Sequence, residues 1–439
     1  MMAKTVCMFV WNHFTNDARV LRECTALTEA GFDVDLIAIH DWKNTNLPKR
    51  ERHANGFTVT RVNSRWNLLN KVFGAIRQLK KKKIELLLLI LMIWNTLLNL
   101  EAITNWKGSL LFAGACAAAG LVAAVIVKTK LPTFLTRSYI FSQMVLHGRK
   151  KKYDFYHSND LNTLLQGVLC SKFFRRRKLI YDSHEVQTSR TGYNSRIYGW
   201  MEKGLLRFVD EMIAENHTRA KYNEKLYGLY PKVVHNYPIP ALPEKSKAVD
   251  LHEMLGLPDS EPILLYQGGI QMGRGLEKLV EAVPMMEKGT LVFIGDGKIK
   301  TSLMSMVAER GLEDRVKFIP KVPVDDLLHY TRNAYLGFQV LNNICFNHYS
   351  ASSNKLFEYM MSGVPVIACS FPEIQKVVEK EKIGVCVDSH DPRSIADGVN
   401  HLLRNPEIRE QMSQNCLAAR KKYNWKQEKE NFIKIYQSA

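Results

Sequence analysis

The chain has 439 residues, enough for two or three domains, and its 46% hydrophobic and 24% charged content excludes wholesale disorder. Sixty-one Lys and Arg against 43 acids give a net charge of +18, which asks for an anionic partner: a phosphorylated ligand, an acidic bilayer or nucleic acid. The 8 cysteines are scattered with no CxxC pair, which argues against a disulfide framework or a structural zinc site and favours reduced thiols in a cytosolic setting.

Thr5 to Val10 predicts a first strand and not a secretory signal, because Asn12, His13 and Asp17 follow at once. A polar turn then leads into a helix whose Val20, Leu21, Cys24, Leu27 and Ala30 share one face, with Gly31 closing it and Val34 to Ile39 as the next strand. This is the βαβ opening of a doubly wound sheet, in which ligands lie beyond the carboxyl ends of strands, so Asn12 to Asp17 marks the mouth of a site. Asp33-Val34-Asp35 has the form of a metal-binding DxD, but it falls at the opposite end of the strand from that mouth and reads as structure.

Ile84 to Leu100 and Ser109 to Val127 break the rhythm as two apolar runs, each near the lower end of the roughly 17 to 25 residues that span a bilayer. Lys80 to Lys83 precede them and Lys128 and Lys130 follow, while the connection carries only Lys107, so the positive-inside rule places both ends of a helical hairpin, 84–127, in the cytoplasm. Small residues from Ala113 to Gly120 offer a packing face within it. Pro132 to Leu146, amphipathic and basic, and Arg149 to Lys152 suit an anionic membrane surface. No aromatic or Gly-rich recognition element accompanies these basic runs, which argues against nucleic acid.

Strands at Asp154 to His157, Lys178 to Tyr181, Met212 to Ala214 and Lys232 to His235 complete a first domain, 1–235. The Pro-, Lys- and Ser-containing segment 236–252 reads as a linker. A second α/β domain, 253–415, follows with strands at Ile263 to Tyr266, Leu291 to Ile294, Val316 to Ile319, Leu336 to Val340, Val364 to Ala368 and Val385 to Val387. The terminal segment 416–439 predicts a helix able to cross back to the first domain.

Three loops of the second domain suit phosphate. Gln267 to Gly275 supplies glycines for close backbone approach and Arg274 as a fixed fork, and Gly295-Asp296-Gly297 ends the next strand. In Ser350 to Ala368, Ser352, Ser353 or Asn354 caps a helix whose amides and dipole form an anion site, with Lys355 and Glu358 three apart and facing similar directions.

These motifs, with Asn16 to Glu23, Tyr181-Asp182-Ser183-His184-Glu185, Gly273-Arg274-Gly275-Leu276 and Asn354 to Met360 followed by Gly363 to Ala368, resemble the group 1, family 4 retaining glycosyltransferases. The resemblance implies a GT-B fold: two doubly wound Rossmann-like domains facing a cleft, the hairpin being an insertion in the first. It also implies a UDP- or GDP-sugar donor, with no cofactor or metal required. Arg274, beside Gly273, and Lys355 would hold the donor diphosphate, Ser353 and Asn354 would offer amides to it, and Glu358 would accept from the ribose. Gly295, Asp296 and Gly297 would lie near the base. His157, Asn159 and Asp160, on a loop facing the cleft, and His13 and His184 would serve the transfer. The expected role is a membrane-associated transferase on the cytoplasmic face of the bacterial inner membrane, serving surface polysaccharide or glycolipid assembly and acting on a lipid-linked or glycan acceptor.

One departure stands out. The usual glutamate eight positions before the second is Ser350, and no Asp or Glu occurs between Leu341 and Phe357. Its contact with the donor sugar is left to Ser350, His348 or backbone amides, and the loss keeps open a catalytically silent nucleotide-sugar-binding scaffold, or an epimerase on the same fold, as alternatives.

Overall fold

The structure, a computed structural model, describes residues 3–44, 46–64, 131–189, 196–239, 249–323 and 326–438. The hydrophobic hairpin expected at 84–127 lies outside the described residues. Among those described, no helix is long and apolar enough to cross a membrane, and the seven cysteines are free thiols.

Two sheets organise the chain. The first contains β1 (Thr5–Phe9), β2 (Asp33–Ile39), β3 (Arg50–Arg52), β4 (Thr58–Val62), β5 (Phe155–Asn159), β6 (Lys178–Ser183), β7 (Glu211–Ala214) and β8 (Lys232–Val233). Their order is β3-β4-β2-β1-β5-β6-β7-β8, parallel throughout except for β3 against β4. The second contains β9 (Ile263–Gln267), β10 (Thr290–Ile294), β11 (Val316–Ile319), β12 (Leu336–Gln339), β13 (Val366–Cys369) and β14 (Gly384–Val387), in the parallel order β11-β10-β9-β12-β13-β14. Helices cover both faces, so β9, β10, β12 and β13 are buried at every residue, which is why they read as continuous apolar runs.

The helix Ala18–Glu29 shows how local sequence aims the site. Asp17 caps it by accepting from the Val20 amide, Val20, Cys24 and Leu27 bury its inner face, and Gly31 at φ +86° turns the chain into β2. Its N-terminal end therefore points out at the carboxyl end of β1. At the other end of the sheet the Lys151 ammonium lies 2.6 Å from Asp33 and 3.1 Å from Asp35, and the Tyr153 hydroxyl donates to Asp35. The DxD pair is thus an ion-paired strand start.

The helix Leu131–Gly148 packs Ile140, Met144 and Val145 against the first sheet and leaves Phe134 and Leu146 exposed. The helix Trp425–Ser438 inserts Trp425, Phe432, Ile433, Ile435 and Tyr436 into the same core as Val6, Met8, Leu27 and Ile213 of the first domain. Where the chain passes back between the domains, the Trp425 amide donates to the Pro238 carbonyl at 2.9 Å, and the His235 amide donates to Glu428 at 2.9 Å.

Candidate active site

The carboxyl ends of both sheets face each other across a cavity of about 690 Å³. A neighbouring cavity of about 670 Å³ shares Phe14 to Ala18 and Asn354 with it and extends over Glu358, Leu327 and Leu328. Together they are large enough for a ligand of the size of a nucleotide with an attached sugar.

The second-domain wall is built for anions. Ser353 stands at the N-cap of the helix Asn354–Met361, but its hydroxyl donates to the Gln339 side chain at 3.0 Å and does not cap the helix. The positive end of that helix therefore opens onto the cavity beside Arg274 and Lys355. Burial, then repulsion from Arg274, pulls the Lys355 ammonium from its ordinary 10.5 down to about 7, and its nitrogen rests 5.2 Å from the Tyr266 ring centre. Glu358 accepts from the Gln267 side chain at 2.8 Å, and burial raises its pKa. Lys355 and Glu358 thus divide between the two cavities: Lys355 lines the first, Glu358 the second.

The glycines shape this wall without lining it. Gly295, at φ +153°, has room only for hydrogen, since a Cβ would lie 2.0 Å from the Gly268 carbonyl oxygen, and a Cβ on Gly297 would lie 2.0 Å from that of Ile270. The Gly268 amide donates to Ile294 and the Ile270 amide to Asp296, both at 2.9 Å. Gly295, Asp296 and Gly297 thereby hold the Gly268–Gly275 loop in place, and neither they nor Gly273 are among the residues lining the two cavities. Arg274 is the residue of that loop which reaches the larger one.

On the first-domain wall, His13, Asp160 and His184 line the cavity. The His13 ring is 2.9 Å from the Ile39 carbonyl. Asp160 holds the uncommon φ of +62° for a non-glycine residue, and its carboxylate accepts from the His184 amide at 3.3 Å. The His184 ring lies 3.3 Å from Asp182 and 3.1 Å from the Asn159 side chain. Burial alone would lower its pKa, but Asp160 and then Asp182 outweigh burial and raise it to about 10, so this imidazole is a cation at neutral pH.

His157 is not in the cleft. The strand runs two residues further than its apolar pattern suggests, to Asn159, so His157 sits within β5, fully buried, and reaches the Tyr436 hydroxyl at 2.6 Å. Burial lowers its pKa to about 4 and keeps it neutral. Asn159 is likewise in the strand, with its amide donating to the Phe9 carbonyl at 3.0 Å. Beneath them, Glu23, His157 and Asp182 bring ligand-type atoms within 4.8 Å of one another, yet the Arg19 guanidinium already lies 2.7 Å from Asp182 and 3.1 Å from Glu23. An embedded cation of the protein's own meets the charge that a metal would balance. We read this cluster as a support that fixes Asp182 under His184.

Arg219 is a site residue that the sequence motifs did not single out. It follows β7, and its Nε donates to the Ser350 hydroxyl at 3.3 Å while Nη2 donates to the Asn347 carbonyl at 3.2 Å, both across the domain boundary. Nη1 pairs with Glu215 and the His184 carbonyl. Asn347 exchanges two hydrogen bonds with the backbone of Val186, at 2.8 and 3.1 Å, and Asn216 donates to the Ser350 carbonyl at 2.8 Å. Ser350 is fully buried, its hydroxyl donating to Phe346 at 2.8 Å, so it belongs to this seam between the domains. The carboxyl-end rule applied to β7 would have pointed to Glu215 and Arg219, whereas no local motif marks Asn347.

Two parallel-sheet, Rossmann-like domains facing a cleft define a protein of the GT-B fold. Residues 250–418 match the glycosyl transferases group 1 family, so the second domain is similar to that family's. Among its relatives are a D-inositol 3-phosphate glycosyltransferase from Xylanimonas cellulosilytica, 27% identical over 54% of this chain and 59% of the relative, and an alpha-D-kanosaminyltransferase from Streptomyces kanamyceticus, 28% identical over 39% of this chain and 44% of the relative. The matched region is therefore less than two thirds of either relative's length. The fold is similar to that of sucrose-phosphate synthase from Thermosynechococcus elongatus, with a TM-score of 0.72 at 17% identity over 99% of this chain and 98% of that one. Anabaena HepE in complex with UDP and glucose gives 0.69 at 16% identity over 99% and 100%.

Proposed function

We propose that the protein transfers a sugar from a nucleotide sugar, UDP- or GDP-linked, to a lipid-linked or glycan acceptor. The observation that carries this reading is the cationic second-domain wall: Arg274, Lys355 and the open N-terminal end of the helix Asn354–Met361 converge on one cavity. In this reading they bind the diphosphate, while Glu358, in the adjoining cavity, accepts from the ribose hydroxyls. UDP in the HepE complex is consistent with such a donor.

The chemistry we propose retains configuration and uses no metal. The bond from the sugar's anomeric carbon to the diphosphate breaks as the acceptor oxygen bonds to that carbon on the same face, and the acceptor's proton passes to the departing phosphate oxygen. Negative charge then grows on the diphosphate, where Arg274, Lys355 and the helix end stabilise it. His184, held protonated by Asp160 and Asp182, contributes positive charge to the opposite wall and does not act as a base. His13 and Asp160 line the same cavity, and in this reading they orient the acceptor.

The protein is proposed to work at the cytoplasmic face of a membrane, in surface polysaccharide or glycolipid assembly. The support is the paired apolar runs between 84 and 127 with their flanking lysines. Radiolabelled sugar transfer from a panel of UDP- and GDP-sugars to a membrane lipid extract tests the activity. Nucleotide binding without transfer to lipid or glycan would favour the scaffold reading that Ser350 keeps open. Deleting 84–127 should release the protein from membranes, and unchanged sedimentation with them would refute the anchor.

A further inference from the structure

The two walls of the larger cavity differ in kind. The second-domain wall carries Arg274, Lys355, amide and hydroxyl groups but no carboxylate, since no acidic residue occurs between Leu341 and Phe357. Every carboxylate lining this cavity, Asp17, Asp160, Glu185 and Glu215, comes from the first domain. Sugar hydroxyls are donors that bind best to ionised acceptors, so the chemistry that would read a sugar lies across the cleft from the chemistry that would hold its diphosphate.

Among these carboxylates, Asp17 is committed to the Val20 amide and Asn12, and Asp160 to the His184 amide. Glu215 is held differently. One of its oxygens, Oε2, pairs with Arg219, and among the described residues Oε1 has no hydrogen-bond partner. Arg219 in turn donates to Ser350 and Asn347 of the second domain, so the position of Glu215 is referenced to both walls at once.

We infer that Glu215 is the donor-sugar recognition residue, its free carboxylate oxygen accepting from hydroxyls of the sugar to be transferred once Arg219 has joined the two domains. This rests on the donor-site reading above and adds a consequence to it. The second domain alone binds the nucleotide, and the sugar is read only when the cleft is closed. Selection of the sugar and closure of the site are then one event.

The test measures dissociation constants of the full chain for UDP, GDP, UDP-glucose, UDP-galactose, UDP-N-acetylglucosamine and GDP-mannose, comparing wild type with Glu215→Gln and Glu215→Asp. For Glu215→Gln we expect the best-bound sugar nucleotide to weaken by ~10- to 100-fold, the effect of losing a hydrogen bond to a charged group, while its parent nucleotide changes less than threefold. Glu215→Asp, which keeps the charge and the Arg219 pair but shortens the reach, should change the order of preference among the sugars, and it decides the matter if Glu215→Gln does not fold. Unchanged discrimination among sugars in these variants overturns the inference, as does a parallel loss of the parent nucleotide, which would make Glu215 only a structural partner of Arg219. Failure of the wild type to bind any of the six nucleotides would instead overturn the donor-site reading itself.

Discussion

Lys355 offers the sharpest physical test of the proposed donor site. Burial and Arg274 bring its pKa to about 7, so near neutral pH the free protein holds it only partly charged. A bound diphosphate would favour the ammonium and return its pKa toward 10.5, and binding would take up a proton. The sign follows: affinity is greatest at and below pH 7 and falls as pH rises toward that of the bound form. If the bound pKa reaches at least about 9, the dissociation constant for UDP-glucose should rise roughly 20- to 50-fold between about pH 7 and 9, or about 2 kcal/mol. UDP-glucose is the suitable probe because its diphosphate is a diester and gains no proton in that range. Calorimetry in buffers of different ionisation enthalpy should show fractional proton uptake near pH 7, rising toward one proton near pH 8. Lys355→Met should abolish both the uptake and the pH dependence. A flat affinity from pH 7 to 9, or a slope that survives in Lys355→Met, would refute the reasoning.

Three further outcomes are expected. Arg274→Ala should weaken UDP-glucose binding on the order of 10- to 100-fold with unchanged circular dichroism, and Arg274→Lys should restore only part of it, because an ammonium cannot reproduce the guanidinium fork. His184 has its folded pKa raised to about 10, so its pairing with Asp160 and Asp182 stabilises the fold fully below about pH 6.5 and is lost as pH rises through about 10. His184→Gln should therefore lower Tm at pH 7 relative to wild type, with the gap narrowing by pH 10.5, and a gap that is constant over this range would contradict the assignment. Gly275→Ala would place a Cβ 1.9 Å from the Val340 carbonyl oxygen at φ +72°, costing about 1 to 3 kcal/mol in denaturant unfolding, whereas Gly311→Ala, at φ +62° with open space, should cost roughly 1 kcal/mol.

The parts of the fold that were legible in the sequence are those whose burial is two-sided. The apolar runs of β9, β10, β12 and β13 announce themselves because helices cover both faces. β3, Arg-Glu-Arg, did not, since it is a short edge strand that exposes both arginines, and β4, Thr-Val-Thr-Arg-Val, did not, since its buried Arg61, paired with Glu51, breaks the apolar pattern. His157 shows a different failure. A polar run, His-Ser-Asn, ends β5, and its polar side chains find partners inside, in Tyr436, the Thr163 carbonyl and the Phe9 carbonyl, so polarity marked a cleft where the fold placed core. In the site, the contiguous motif from Ser353 to Glu358 was readable because one helix carries it. The Arg219–Ser350–Asn347 seam was not, since it joins residues more than 120 positions apart in pairs that no spacing rule links.

The helix Trp425–Ser438 has a consequence for the order in which the chain can mature. Phe432 and Tyr436 fill the first domain's core beside Val6, Val34 and Phe155, yet they are synthesised after the whole of the second domain. An emerging first domain therefore carries an unfilled apolar groove, and the buried His157 lacks its hydroxyl partner, until translation has passed Tyr436. The second sheet faces no such delay, because its strands and the helices packed on them are contiguous in the chain. The domain made first is thus completed last, and a chain released before Trp425 would join a second domain that has all its core residues to a first domain still open to chaperones and proteases.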